Sequence, residues 1–171
     1  MKHSALALLL TPLLWACGSA GSPAVQVPEV SAGELLSAPT HLVLDGVDLH
    51  AEAQPYLNEI GCASSGCAHL PNFVVPVKLL APSVRAAKNS PLNTFRVTGV
   101  YVVTEGGVWR SGVAASDNRR CASVAACLQA VSRGNASVAS GTPAQVVLTF
   151  LDGAGKAHML RDDDVWVRRL S

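Results

Sequence analysis

The chain of 171 residues has almost no net charge, few aromatics and no long apolar span beyond its first residues. Each absence excludes something. Thirteen basic and twelve acidic residues give a formal charge of +1 at pH 7. That balance offers no basis for nucleic-acid binding or for electrostatic adhesion to a membrane. No stretch after the N-terminal region approaches the roughly eighteen apolar residues a membrane-crossing helix needs. Aromatics make up 5% of the chain, so the core must be built from small and β-branched side chains. Catalytic signatures are missing as well. Ser64 and Ser65 stand beside Gly66, but there is no Gly-x-Ser-x-Gly elbow and nothing marks a His or Asp partner; serine is common in tight loops. The run Asp162-Asp163-Asp164 lacks the spaced oxygens and glycine of a calcium loop and reads as a solvated turn. Cys62, Cys67 and His69 are ligand types without the second pair that a structural zinc site uses. No metal and no cofactor is expected, and the chain is not read as an enzyme.

What is present is concentrated at the N-terminus. Lys2 precedes an apolar run from Ala5 to Leu14, and Leu14-Trp15-Ala16-Cys17 follows. The run is too short to span a bilayer and fits a secretory core. Pro12 also interrupts any continuous helix. Leu14, Ala16 and Cys17 resemble the lipobox of bacterial lipoprotein signal peptides, while Trp15 stands where a small residue is usual. The resemblance implies cleavage before Cys17, a diacylglyceryl thioether on its sulfur and an acylated amine. More than one acyl chain gives stable anchoring where a single chain is marginal. Gly18, in place of an inner-membrane retention Asp, favours the outer membrane of a two-membrane envelope. The expected division is a signal peptide over residues 1–16, a lipidated cysteine and flexible tether over 17–39, and one domain over 40–171. The tether is rich in Gly, Ser, Pro and Ala, with at most a short helical turn near Glu34–Leu36. Fully extended, it reaches roughly 60 Å.

Setting Cys17 aside leaves Cys62, Cys67, Cys121 and Cys127. An exported chain meets an oxidising compartment, so an even remainder suggests two disulfides. Four cysteines allow three pairings, of which Cys62–Cys67 with Cys121–Cys127 is the simplest. Six residues along one helix rise about 9 Å, beyond the roughly 7 Å limit of a disulfide. A Cys121–Cys127 bridge therefore requires any helix to begin after Cys121, with Ser123 as its N-cap. A helix beginning near Asp117 would favour crossed pairs.

Alternation places strands along the domain. Residues 41–50 alternate about an Asp45-Gly46 turn, as a strand pair or one bent strand. Pro55 leaves the next ten residues ambiguous, and Pro76 makes the run from Phe73 to Leu80 an edge or bulged strand. Phe95 to Thr104 suits burial on both faces and returns through Glu105-Gly106-Gly107. A second hairpin turns at Asp152–Gly155, and Val165 to Leu170 forms a last strand. Arg119 to Arg133 reads as an amphipathic helix, with Val124, Cys127, Leu128 and Val131 on one face and Gly134 as its C-terminal cap. Six to eight strands and one helix suggest a β-sandwich with a helical insertion. From Phe95 to Ser171, the Val-Tyr-Val-Val strand, its Val-Trp-Arg return and the Leu-Thr-Phe-Leu-Asp-Gly-Ala-Gly-Lys-Ala-His hairpin resemble small immunoglobulin-like secreted lipoproteins of unassigned activity. That resemblance implies an immunoglobulin-like fold. The Cys–Trp–Cys spacing of antibody domains is absent.

Arg119-Arg120, Arg133 and Arg168-Arg169 read as solvated faces. Trp109 and Trp166 each lie in a strand with Val and Arg close by, so at least one should point outward as a candidate binding residue. The expected function is that of a lipid-anchored envelope protein whose domain binds another protein, as a scaffold or accessory subunit of a machine for secretion, assembly or surface motility. The rival expectation is a small-ligand carrier, or an inhibitor of an exported hydrolase acting through the Cys62–Cys67 loop.

Overall fold

Side chains that alternate in size and polarity must find two different surroundings, one for each face of a strand. The computed structural model describes residues 27–58, 72–87, 89–123 and 125–170. Among them are α1 (Ala32–Leu36), β1 (His41–Leu44), β2 (Val47–Ala53), β3 (Tyr56–Asn58), β4 (Phe73–Arg85), β5 (Arg96–Thr104), β6 (Gly107–Gly112), β7 (Arg119–Arg120), β8 (Ala125–Gly134), β9 (Pro143–Leu151), β10 (Ala157–Trp166) and β11 (Arg168–Leu170). The protein is mainly β, in two sheets. In the first, β1, β2, β4, β8 and β7 lie side by side, each antiparallel to its neighbour. β3 follows β2 along the same edge of β4, and β11 runs parallel to β3. The second sheet has the order β10-β9-β5-β6 and is antiparallel throughout. No helix among the described residues is long and apolar enough to cross a membrane.

The β1–β2 turn follows from its two residues. Asp45 at φ 50° and Gly46 at φ 77° both take the left-handed conformation. Two such residues in succession match the twist of a tight hairpin, so residues 41–50 are a strand pair. Pro76, expected on an edge or bulged strand, instead sits within the central strand β4. The Pro76 carbonyl accepts from Gln54 N–H at 3.0 Å. A strand residue directs its N–H and C=O to the same side, so the missing N–H of Pro76 faces the break between β2 and β3, where the ladder is already interrupted.

The segment read as a helix, Arg119 to Arg133, holds the antiparallel strands β7 and β8. Its small residues decide this. Ala126, Leu128, Ala130 and Ser132 alternate and are buried, with Leu128 opposite Leu79 and Ala130 opposite Val77 of β4. The helical spacing of Val124, Cys127, Leu128 and Val131 coexists with this alternation, and the long unpaired edge of β4 selects the strand. Gly134, expected as a helix cap, lies under the Trp109 ring, where an added Cβ would come within 3.1 Å of Cζ2. Ser123, expected as an N-cap, donates its hydroxyl to the Ala125 carbonyl at 2.7 Å. Cys121 and Cys127 are cross-strand neighbours one step beyond the Arg120–Leu128 pair and form a disulfide with Cα atoms 5.3 Å apart. This half of the local pairing is present; Cys62 and Cys67 lie outside the described residues.

One core lies between the sheets. Leu49, Phe73, Val75, Val77 and Leu79 of the first sheet meet Val100, Val102, Val146, Leu148, Phe150 and Leu160 of the second. The edges are tied by hydrogen bonds. Ser132 donates to the Ser111 carbonyl at 3.2 Å, and Asp162 accepts from Ala53 N–H at 2.8 Å. The alternate residues of the second sheet, Tyr101, Val103 and Val147, face away from this core and are buried by Leu35 and Ala38. The cover is part of the stretch expected as a tether. Residues 27–38 run as a strap along β5: Val27 lies against Gly99, Tyr101 donates its hydroxyl to the Pro28 carbonyl at 2.8 Å, and Glu29 pairs with Arg110 at 3.3 Å. The short helical turn allowed near Glu34–Leu36 is α1, capped by Ser31, whose hydroxyl accepts from Glu34 N–H at 3.2 Å. A β5 that suits burial on both faces therefore has both faces covered, and the domain includes residues before Thr40.

Candidate functional site

The two tryptophans part company. Trp109, on the edge strand β6, bridges to the other sheet. Its Nε1 donates to the Asn135 carbonyl at 3.0 Å, and its ring meets Phe73 edge-on with centroids 4.9 Å apart. It seals one side of the core. Trp166, near the end of β10, is 56% exposed.

A bulge turns Trp166 outward. Between Asp162 and Val165 the pairing with β9 advances from Val146 to Ala144, so three steps on β10 oppose two on β9. One extra residue reverses the alternation beyond it. Leu160 and Asp162 face inward before the bulge, Val165 and Val167 are buried after it, and Trp166 is left outside. The residues read as a solvated turn, Asp162 to Asp164, are thus inside β10 and form its bulge.

Trp166 borders a surface groove of about 400 Å³ at one end of the second sheet. Leu36 of α1 and Val165 give it apolar lining, and the exposed Glu105, Asp163 and Asp164 rim it. No Lys, Arg or His lines it. Asp163 lies 3.8 Å from Arg161, which is itself held by Gln145 and the Ala38 carbonyl. No ion pair engages Glu105 or Asp164 among the described residues. Glu105 and Leu36 were not anticipated as site residues, the first read only as a hairpin turn and the second as tether.

Asp162 belongs to the frame. Burial pushes its carboxyl above the usual carboxylate range, and the N–H groups of Ala53 and Asp164 pull it partly back. A carboxyl whose pKa is raised by folding holds its proton more tightly in the native state, so its contribution to stability improves as pH falls through the raised value and worsens as pH rises. Asp162→Asn cannot follow that change. Its stability relative to the parent should decline as pH is lowered from 7 toward 4, measured by thermal melts; a constant difference across that range would count against the assignment.

The other expected positions separate. Arg119 and Arg120 lie exposed on β7, Arg168 and Arg169 on β11, and Arg133 pairs with Asp117 at 3.4 Å. Expectations that rest on Cys17, Cys62, Ser64, Ser65, Cys67 and His69 lie outside the described residues. What the groove offers chemically is an aromatic face, aliphatic contact and unpaired carboxylates, a combination suited to binding. Comparison with family models, with curated proteins and with solved structures finds no match for this chain.

Proposed function

We propose that this protein is a lipid-anchored envelope lipoprotein, non-enzymatic, whose immunoglobulin-like domain docks on another envelope protein as a scaffold or accessory subunit. The observation that carries the docking reading is Trp166, a large aromatic held outside by a bulge and exposed beside Leu36. Exposed aromatics at the centre of an apolar patch are the usual anchors of protein interfaces. The anchoring reading rests on Lys2, the apolar run and Cys17, and the outer membrane is favoured by Gly18. An immunoglobulin-like order is supported by strand pairing: β2-β4-β8-β7 faces β10-β9-β5-β6, with β8 returning beside β4 and β9 beside β5. Nine residues, ten chain steps, separate Cys17 from Val27. Fully extended they reach at most about 35 Å, so the domain works closer to the bilayer than a tether running to residue 39 would allow.

Two measurements test this. Cys17→Ser should move the protein from the membrane fraction to the soluble one; retention in the membrane would remove the lipid anchor from the reading. A photo-crosslinking residue at position 166 should give a discrete adduct in intact cells, while one at exposed Arg119 should not. Equal labelling from both positions would sink the docking surface.

A further inference from the structure

We infer that the groove beside Trp166 takes a basic, extended segment of the partner protein, with a Lys or Arg side chain over the Trp166 ring and its charge met by Glu105 and Asp164. The inference rests on the docking reading above and names the chemistry of the partner. Three observations carry it. The groove has three carboxylates on its rim and no cation in its lining. Two of them, Glu105 and Asp164, lack an ion-pair partner among the described residues, while Asp163 is already shared with Arg161. Trp166 is exposed and lines the same groove, and an indole ring attracts an ammonium or guanidinium through its quadrupole. An anionic surface would be repelled here, and a purely apolar segment would leave the carboxylates unmatched.

The groove and the entry of the strap lie at opposite ends of β5. The chain joins the second sheet at Val27, over Gly99 near the start of β5. The groove lies past the far end of that strand, against Val103 and Thr104. At about 3.3 Å per residue, roughly 17 Å of strand separates the two. The groove is therefore separate from the point where the strap enters the sheet, and the strap does not fill it.

The test uses the mature lipidated chain in detergent, labelled so that the indole resonance of Trp166 can be followed. The probes are an extended peptide with Arg at alternate positions between Gly and Ser, and the same peptide with Gln in place of Arg. The Arg peptide should shift the Trp166 resonance in a saturable way, and the Gln peptide should not. Trp166→Ala, followed through backbone resonances, and the pair Glu105→Gln with Asp164→Asn should each weaken binding about tenfold, a change of about 1.4 kcal/mol. All three positions are on the surface, and an unchanged melting temperature verifies the fold of the variants. Equal binding of both peptides, or variants that bind as the parent does, would overturn the inference. In cells, a photo-crosslinker at Leu36 separates this inference from the reading beneath it. An adduct lost on neutralising Glu105 and Asp164 supports both. An adduct that persists keeps the docking site and refutes a basic partner. No adduct at all refutes both, and self-association abolished by the same substitutions would put a second copy in the groove and overturn the partner-protein assignment.

Discussion

Leu35→Ala should lower the stability of the domain by about 2–5 kcal/mol, the range for truncating a buried leucine. Leu35 is 0% exposed and fills the space over Tyr101, Val103 and Val147 on the outer face of the second sheet. Its loss leaves a cavity that Ala38 and Val30 cannot close, because Pro28 and the Ala38 carbonyl hold the strap at both ends through Tyr101 and Arg161. Leu36→Ala is the control. Leu36 is 39% exposed at the rim of the groove, and its truncation should stay within about 0.5 kcal/mol. Urea denaturation of the two variants reads the contrast. Equal, small changes would mean that residues 27–38 are a loose tether after all.

Phe150→Ala should have an effect as large or larger, about 3–5 kcal/mol. Phe150 is fully buried on the central strand β9. Its ring stacks on Phe95 at 5.8 Å and on His158 at 5.3 Å, so it joins the strand preceding the β9–β10 hairpin to both the β5 entry and the β10 return. In a core built mainly from Val, Leu and Ala, few side chains are long enough to reach into the space it leaves. The denaturation midpoint should fall with little change in slope, since the surface exposed on unfolding is nearly the same. A midpoint within experimental error of the parent would show that the ring is not part of the core.

The parts of the fold legible in the sequence are those fixed by neighbouring residues. Asp45-Gly46 needs only its own backbone preferences to make a turn, and the Asp152 hairpin only its own side chain, whose carboxylate accepts from Ala154 and Lys156 N–H at 2.9 Å each. Residues 119–133 misled because Ala126, Ala130 and Ser132 are too small or polar to mark an alternating face, while Val124, Cys127, Leu128 and Val131 mark a helical one. The choice between them belongs to β4, some fifty residues away. The strap did carry a local sign, Ser31-Ala32-Gly33-Glu34, which has the form of a helix capping box, but its apolar partners lie on β5 and β9. The outward turn of Trp166 depends on a bulge set by pairing with β9, so alternation along β10 alone assigns it to neither face. Of the candidate site, the aromatic was visible in the sequence and its acidic rim was not, because Glu105 and Asp164 come together only across the end of the second sheet.

The short strand β11 is parallel to β3, with Arg168 opposite Tyr56. Asp162 reaches Ala53 across 109 positions, and Arg161 reaches Ala38 across 123. The earliest and the latest parts of the described chain are thus partners. Such distant closures slow folding relative to local ones. A chain synthesised or threaded from its N-terminus cannot complete the first sheet, or pin the strap to β10, until its last residues have arrived. The pairing of β3 with β11 closes last, and with it the first sheet.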